Sequence, residues 1–96
     1  MEKKISRTGG TYFFSGQFLI TRGIQTNLTP EEIKVIYLEI QRLVKEKSGL
    51  DYLQVYVHED TGQELFFIDQ LNQEMIASGG YEPEHNHCTL MLAEEY

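Results

Sequence analysis

The sequence predicts an α+β domain in which one amphipathic helix, about residues 30–48, packs on an antiparallel sheet in the order ββαβββ. Three observations lead there. Thr29-Pro30-Glu31-Glu32 opens an apolar stripe of helical period. Residues 52–58 alternate with a period of two and pass through a glycine-bearing turn into an apolar run at 65–68. Finally, 96 residues with no internal repeat, Pro- or Ser-rich linker or low-complexity segment suit one modest core and no domain boundary.

Residues 1–10 are polar and end on Gly9-Gly10, so a flexible leader is expected before a single domain over residues 11–96. Tyr12-Phe13-Phe14 and the run 17–24 are β-prone, and Ser15-Gly16 between them is the kind of pair that closes a tight hairpin. Thr29 then suits an N-cap, because its hydroxyl can accept from a first-turn N–H. Pro30 suits the first helical position, where no donor is missed, and Glu32 completes a capping box. Ile33, Ile36, Tyr37, Ile40, Leu43 and Val44 make the buried stripe, while Val35 and Leu38 lie off it. Lys45 and Lys47 favour the negative end of the helix dipole, and Ser48-Gly49 ends it.

Leu53, Val55 and Val57 alternate with Tyr52, Gln54, Tyr56 and His58, and the turn at 59–63 makes this run half of a hairpin. Residues 65–68 are apolar on both faces, which predicts a central strand, covered on both sides or at a dimer contact. The polar stretch 69–86 reads as a long loop or one short helical turn near 73–77, and residues 88–93 as a strand or a helical turn, a closing strand being preferred.

Apolar residues make up 41% and charged residues 24%, the composition of an ordered domain. The net charge of −7 is unevenly laid out. Residues 1–47 carry all eight Lys and Arg and five acids, a net of +3; residues 48–96 carry ten acids and no Lys or Arg, a net of −10. A segment without cations cannot neutralise phosphates, so direct nucleic-acid binding by the second half is not expected. No apolar stretch is long enough to span a bilayer, no apolar segment follows the charged first residues as in a secretory signal, and the single cysteine, Cys88, cannot form an intrachain disulfide. A cytoplasmic protein without membrane contact is expected.

Two stretches resemble known families. Phe67-Ile68-Asp69, Tyr81-Glu82-Pro83 and the run Cys88-Thr89-Leu90-Met91-Leu92-Ala93-Glu94-Glu95-Tyr96 resemble small uncharacterised bacterial proteins often carried on plasmids, with Gln70 standing where that family usually has an aromatic. Thr21-Arg22-Gly23-Ile24, the helix after it and Leu50-Asp51-Tyr52-Leu53-Gln54-Val55-Tyr56 resemble a second uncharacterised family of Firmicute and phage proteins. Each resemblance covers about half of the chain. Together they imply a bacterial mobile-element accessory protein and imply no mechanism.

The candidate metal ligands are His85 and His87, which would project to one side of an extended segment, with Glu84, Cys88 or His58 as a third partner. The competing reading is a polar loop with solvated histidines and a buried Cys88, and no resident metal or cofactor is expected. Asp69, ending an apolar strand, would be a general base or, in better accord with the rarity of unpaired buried charge, an anchor for the following loop. No local Ser-His-Asp, Cys-His or phosphate-loop pattern is present, which disfavours an enzyme. The preferred expectation is a non-enzymatic interaction protein that binds another protein through Tyr52, Tyr56, Glu59, Asp60, Asp69, Tyr81, Glu82 and Glu84, and in its specific form inhibits a host nucleic-acid-binding or defence protein. The alternatives are a small-molecule or metal-binding domain using His85 and His87, or a structural homodimer; so small a chain is in any case expected to dimerise.

Overall fold

In the computed structural model, residues 2–5 and 8–96 are described, with side chains for residues 10–82 and 84–96. The elements are β1 (Glu2–Ile5), β2 (Thr8–Tyr12), β3 (Gln17–Ile20), α1 (Arg22–Asn27), α2 (Pro30–Lys47), β4 (Leu53–Val57), β5 (Glu64–Asp69), α3 (Gln73–Ser78) and β6 (His87–Leu92), with 3-10 turns at Pro83–His85 and Ala93–Glu95.

Helix α2 begins as its sequence dictates. The Glu32 N–H donates to the Thr29 hydroxyl at 3.2 Å, and the Thr29 N–H donates to Glu32 Oε1 at 2.9 Å. It ends at Ser48, whose left-handed φ of 57° turns the chain out and lets its N–H reach the Val44 carbonyl. Ile36, Ile40 and Val44 are its buried stripe, against Leu65 and Phe67 of β5 and Leu90 and Leu92 of β6. Val35 and Leu38 stay more than half exposed.

The sheet has the order β1-β4-β5-β6-β3, with β5 central as expected. The hairpin β4–β5 forms in the predicted place, pairing Val55 with Phe66 and closing through the His58 N–H to the Gln63 carbonyl at 2.9 Å. The fold is α+β, but the sheet is mixed rather than antiparallel, because β3 lies parallel to β6 with Gln17 opposite His87 and Ile20 opposite Leu90. Strands β3 and β4 therefore run the same way, joined over the sheet by α2 and separated by β6 and β5, a split β-α-β arrangement.

Three local expectations change. The hairpin at Ser15-Gly16 does not form: β3 pairs with β6, and Tyr12 at the end of β2 makes an antiparallel bridge to Leu50. Residues 22–24, the end of the expected extended run, instead open helix α1, because Thr21 caps it by accepting the Ile24 N–H on its hydroxyl. The expected leader also carries strand structure: β1 pairs with β4, setting Glu2 opposite Val57, and Gly10 packs so near the Leu50 carbonyl that a Cβ there would stand 2.0 Å from its oxygen. Long-range backbone pairing of a polar segment leaves no apolar periodicity to read.

If the Thr29 cap starts α2, Thr29→Ala should lower the unfolding free energy by about 1 kcal/mol in a urea titration. An unchanged midpoint and slope would contradict that role.

Candidate functional site

The buried carboxylate of Asp69 organises the region around β3. Asp69 ends β5 on the helix-facing side at 4% exposure, and its Oδ2 accepts from the Phe14 N–H at 2.9 Å. Phe14 has a φ of 50°, a left-handed conformation that a bulky residue holds only when its surroundings over-determine it. They do so from three sides. Gln41 Nε2 of α2 donates to the Phe14 carbonyl at 2.8 Å, the Cys88 Sγ lies 4.0 Å from the same oxygen, and the Phe14 ring stands edge-on to Phe67 with centroids 4.9 Å apart. Burial raises the Asp69 carboxyl above its ordinary range; the Phe14 N–H opposes this most, and those of Gln70 and Leu71 and the His87 side chain also favour the carboxylate. The Gln70 N–H, directed at the His87 carbonyl at 3.0 Å, thus acts on Asp69 only from the side, and Asp69 Oδ1 accepts no hydrogen bond from the described residues. Burial, with Asp69 beside it, pushes the Cys88 thiol up to about 12, so it is no nucleophile near neutral pH.

From this pinned turn the chain enters β3 at the sheet's outer edge, and an apolar groove of about 500 Å³ opens between β3, α1 and the first half of α2. Phe18 and Ile20 form one wall, Leu28 and Pro30 one end, and Ile33 and Tyr37 the other wall, with Gln25 and Lys34 the polar groups at its margin. The Phe18 ring lies between Tyr37 and Phe67, with centroids at 4.7 and 5.4 Å.

The far end of β3 is tied to the C-terminal turn. Glu95 accepts from the Thr21 hydroxyl at 2.6 Å, the Gly23 N–H at 3.1 Å and the Leu92 N–H at 2.9 Å, contacts that hold its carboxyl below the usual range, Thr21 contributing most. A Cβ at Gly23 would lie 2.5 Å from Glu95 Oε1, so a larger residue there would push the carboxylate off its donors.

The sequence-predicted residues do not gather at one place. Tyr56 is 1% exposed under α2, its hydroxyl donating to Glu39 Oε1 at 2.9 Å, and Asp69 is buried in the clamp; neither reaches a partner. The β4 face bearing Gln54, Tyr56 and His58 is the helix-facing one, because the register sets Gln54 against Phe67 and Tyr56 against Leu65. Asp69 is an anchor: it holds residue 14, and the N–H groups of Gln70 and Leu71, at the start of the loop after it, also favour its carboxylate. Glu59 and Asp60 are exposed at the β4–β5 turn, whereas Glu82 and Glu84 are exposed and Tyr81 is 47% exposed in the β5–β6 connection, at the opposite end of the sheet; Tyr52 is exposed at that end too, against Tyr12.

His85 sits in a 3-10 turn and His87 starts β6, so the extended geometry that would set both to one side is absent. Cys88 faces the core, and His58 lies at the other end of the sheet, where Asp60 N–H donates to its Nδ1 and its Nε2 stands 2.9 Å from Glu32 Oε2. Among the described residues no group of three or more His, Cys, Asp or Glu is arranged to hold a metal ion, and no helix is long and apolar enough to cross a membrane.

No family model, curated protein or solved structure matches this chain. The groove residues were visible in the sequence only as ordinary core: Ile33 and Tyr37 belong to the helical stripe, and Phe18 and Ile20 to an apolar strand. Their convergence depends on β3 lying at the edge beside β6, a pairing no local pattern encodes.

Replacing Asp69 by alanine strands the Phe14 N–H and should cost about 1–3 kcal/mol. Because burial raises the Asp69 carboxyl, its share of stability is fullest below the unfolded-state value and is lost as pH rises through the folded one. Asp69→Asn keeps an acceptor and drops that dependence, so urea titrations from pH 4 to 8 should show the Asn variant gaining on the wild type as pH rises. A constant difference would contradict the buried-carboxylate assignment. Glu95 has the opposite sign: its contribution is present above the unfolded-state value and is lost as pH falls through the lowered one. Glu95→Gln should therefore differ from the wild type near neutrality and converge with it in acid.

Proposed function

We propose that this chain is a non-enzymatic protein-binding module whose recognition site is the groove between β3 and α2. The observation that carries this reading is an apolar concavity of about 500 Å³, lined by Phe18, Ile20, Leu28, Ile33 and Tyr37 and marked by one cation, Lys34. An interior-like surface with few placed polar groups is the usual form of a recognition site. The ionisable groups that the fold brings together are engaged in structural bonds: Asp69 on Phe14, His58 on Glu32, Tyr56 on Glu39, and Glu95 on Thr21 and Gly23.

An acidic docking face has less support. Glu59, Asp60 and Glu94 lie exposed at one end of the sheet, and Glu74, Glu82 and Glu84 at the other, so the negative charge is divided rather than directed. The phage or plasmid accessory role implied by the two resemblances accords with a small protein that acts by occupying a host protein, here through apolar contact.

Gln25 is exposed at the groove margin, so Gln25→Trp fills the groove without entering the core. Pull-downs from a bacterial lysate with wild type and Gln25→Trp, each at about 0.1 and 0.5 M salt, separate the readings. Groove recognition predicts proteins retained by the wild type at both salts and lost with Gln25→Trp. Retention that survives Gln25→Trp and fails at high salt would assign binding to the acidic ends instead. Retention of nothing by either protein would count against a protein partner.

A further inference from the structure

We infer that the groove takes an extended peptide segment, which pairs with the outer edge of β3 as a sixth strand and carries an acidic residue toward Lys34; this rests on the protein-binding reading above. Three features of the edge argue for a strand rather than a helix or a compact ligand.

The backbone geometry comes first. The Gln17 N–H donates to the Asn86 carbonyl at 3.0 Å and the Thr21 N–H to the Leu90 carbonyl at 3.2 Å. In a parallel ladder alternate residues bond to the neighbour, so Gln17, Leu19 and Thr21 face β6, and the N–H and C=O groups of Phe18 and Ile20 face away from the sheet. β3 is the terminal strand, and no described strand pairs with that side.

The second feature is that this edge lacks most of the usual defences. Edge strands are normally blunted by charge, proline or a bulge. The edge here reads Gln-Phe-Leu-Ile, in unbroken register with β6, with Leu19 and Ile20 each more than a third exposed. Short length is its one protection.

Third, the groove lies directly beside the free backbone groups. Phe18 and Ile20 present their side chains to the groove on the helix side, so a strand laid along β3 would drop every second side chain between β3 and α2 and direct the others outward beside Leu19. Four residues of β3 at about 3.3 Å each admit two such inward side chains.

Charge selects among extended segments. No Asp or Glu lines the groove, Lys34 does, and Arg22 lies three residues before Gln25 on α1, near enough to share its side. Among the described residues neither Lys34 nor Arg22 has an ion-pair partner. The segment that fits is therefore apolar at alternate positions with an Asp, Glu or terminal carboxylate beside them.

The test is selection of a phage-displayed library of random octapeptides against the full chain, with Gln25→Trp protein as the counter-selection. The expected outcome is a motif with apolar residues two apart and an adjacent acid. The synthetic peptide should bind in the micromolar range, lose at least tenfold when the amides that would pair with β3 are N-methylated, and lose several-fold with Lys34→Glu protein, whose fold circular dichroism verifies. Apolar residues spaced three and four apart, or equal binding after N-methylation at every position, would overturn strand addition while leaving the groove as a binding site. A dimer in solution that excludes the peptide would assign the edge to a second copy and overturn the proposal. Equal enrichment on wild-type and Gln25→Trp protein would overturn both strand addition and the groove.

Discussion

The contact between the Asp69 carboxylate and the Phe14 N–H governs where β3 lies. It joins the end of the central strand to a turn 55 residues away in sequence and holds that turn in a conformation a phenylalanine rarely adopts. Gln41 secures the same residue from α2, so sheet and helix meet on one backbone unit. A buried carboxylate is costly unless its charge is matched, and here Oδ2 takes the Phe14 N–H while the Gln70 and Leu71 N–H groups and the His87 side chain lend further support. With the turn pinned, β3 emerges parallel to β6 at the rim, and its two aromatic neighbours, Tyr37 and Phe67, fix Phe18 in the groove wall.

At the other end of β3, Glu95 performs a comparable task with opposite electrostatics. Exposed and held below its ordinary range, it gathers the Thr21 hydroxyl and two backbone donors, and so couples the start of α1 to the close of the chain. The stretches Thr21-Arg22-Gly23-Ile24 and Leu92-Ala93-Glu94-Glu95 are thus in contact in space. One physical reason for a glycine at 23 and a glutamate at 95 is that each leaves room for or holds the other.

The helix, the β4–β5 hairpin, the central place of β5 and the closing strand were legible because each is a local pattern: a capping box, a period of two, a glycine turn, an apolar run. The parallel pairing of β3 was not, since it is specified by Asp69 and Asn86 acting on residues more than 50 positions away. The burial of Tyr56 was equally hidden. Its strand carries apolar residues on one face and polar ones on the other, and the polar face turns inward because Glu39 and Glu32 of α2 supply partners for Tyr56 and His58. The charge layout was legible in sequence and not in space: ten acids crowd the second half of the chain, yet the hairpin and its connections send them to opposite ends of the sheet.

The clamp on Phe14 delivers β3 to the surface with one edge bonded and the other open. Residue-resolved amide hydrogen exchange on the isolated protein reads this directly. The Leu19 amide should exchange slowly, between Phe18 and Ile20 amides that exchange at least a hundredfold faster. Phe18 and Ile20 amides protected to the same degree as Leu19 would mean that the edge is already covered, and would contradict the open edge.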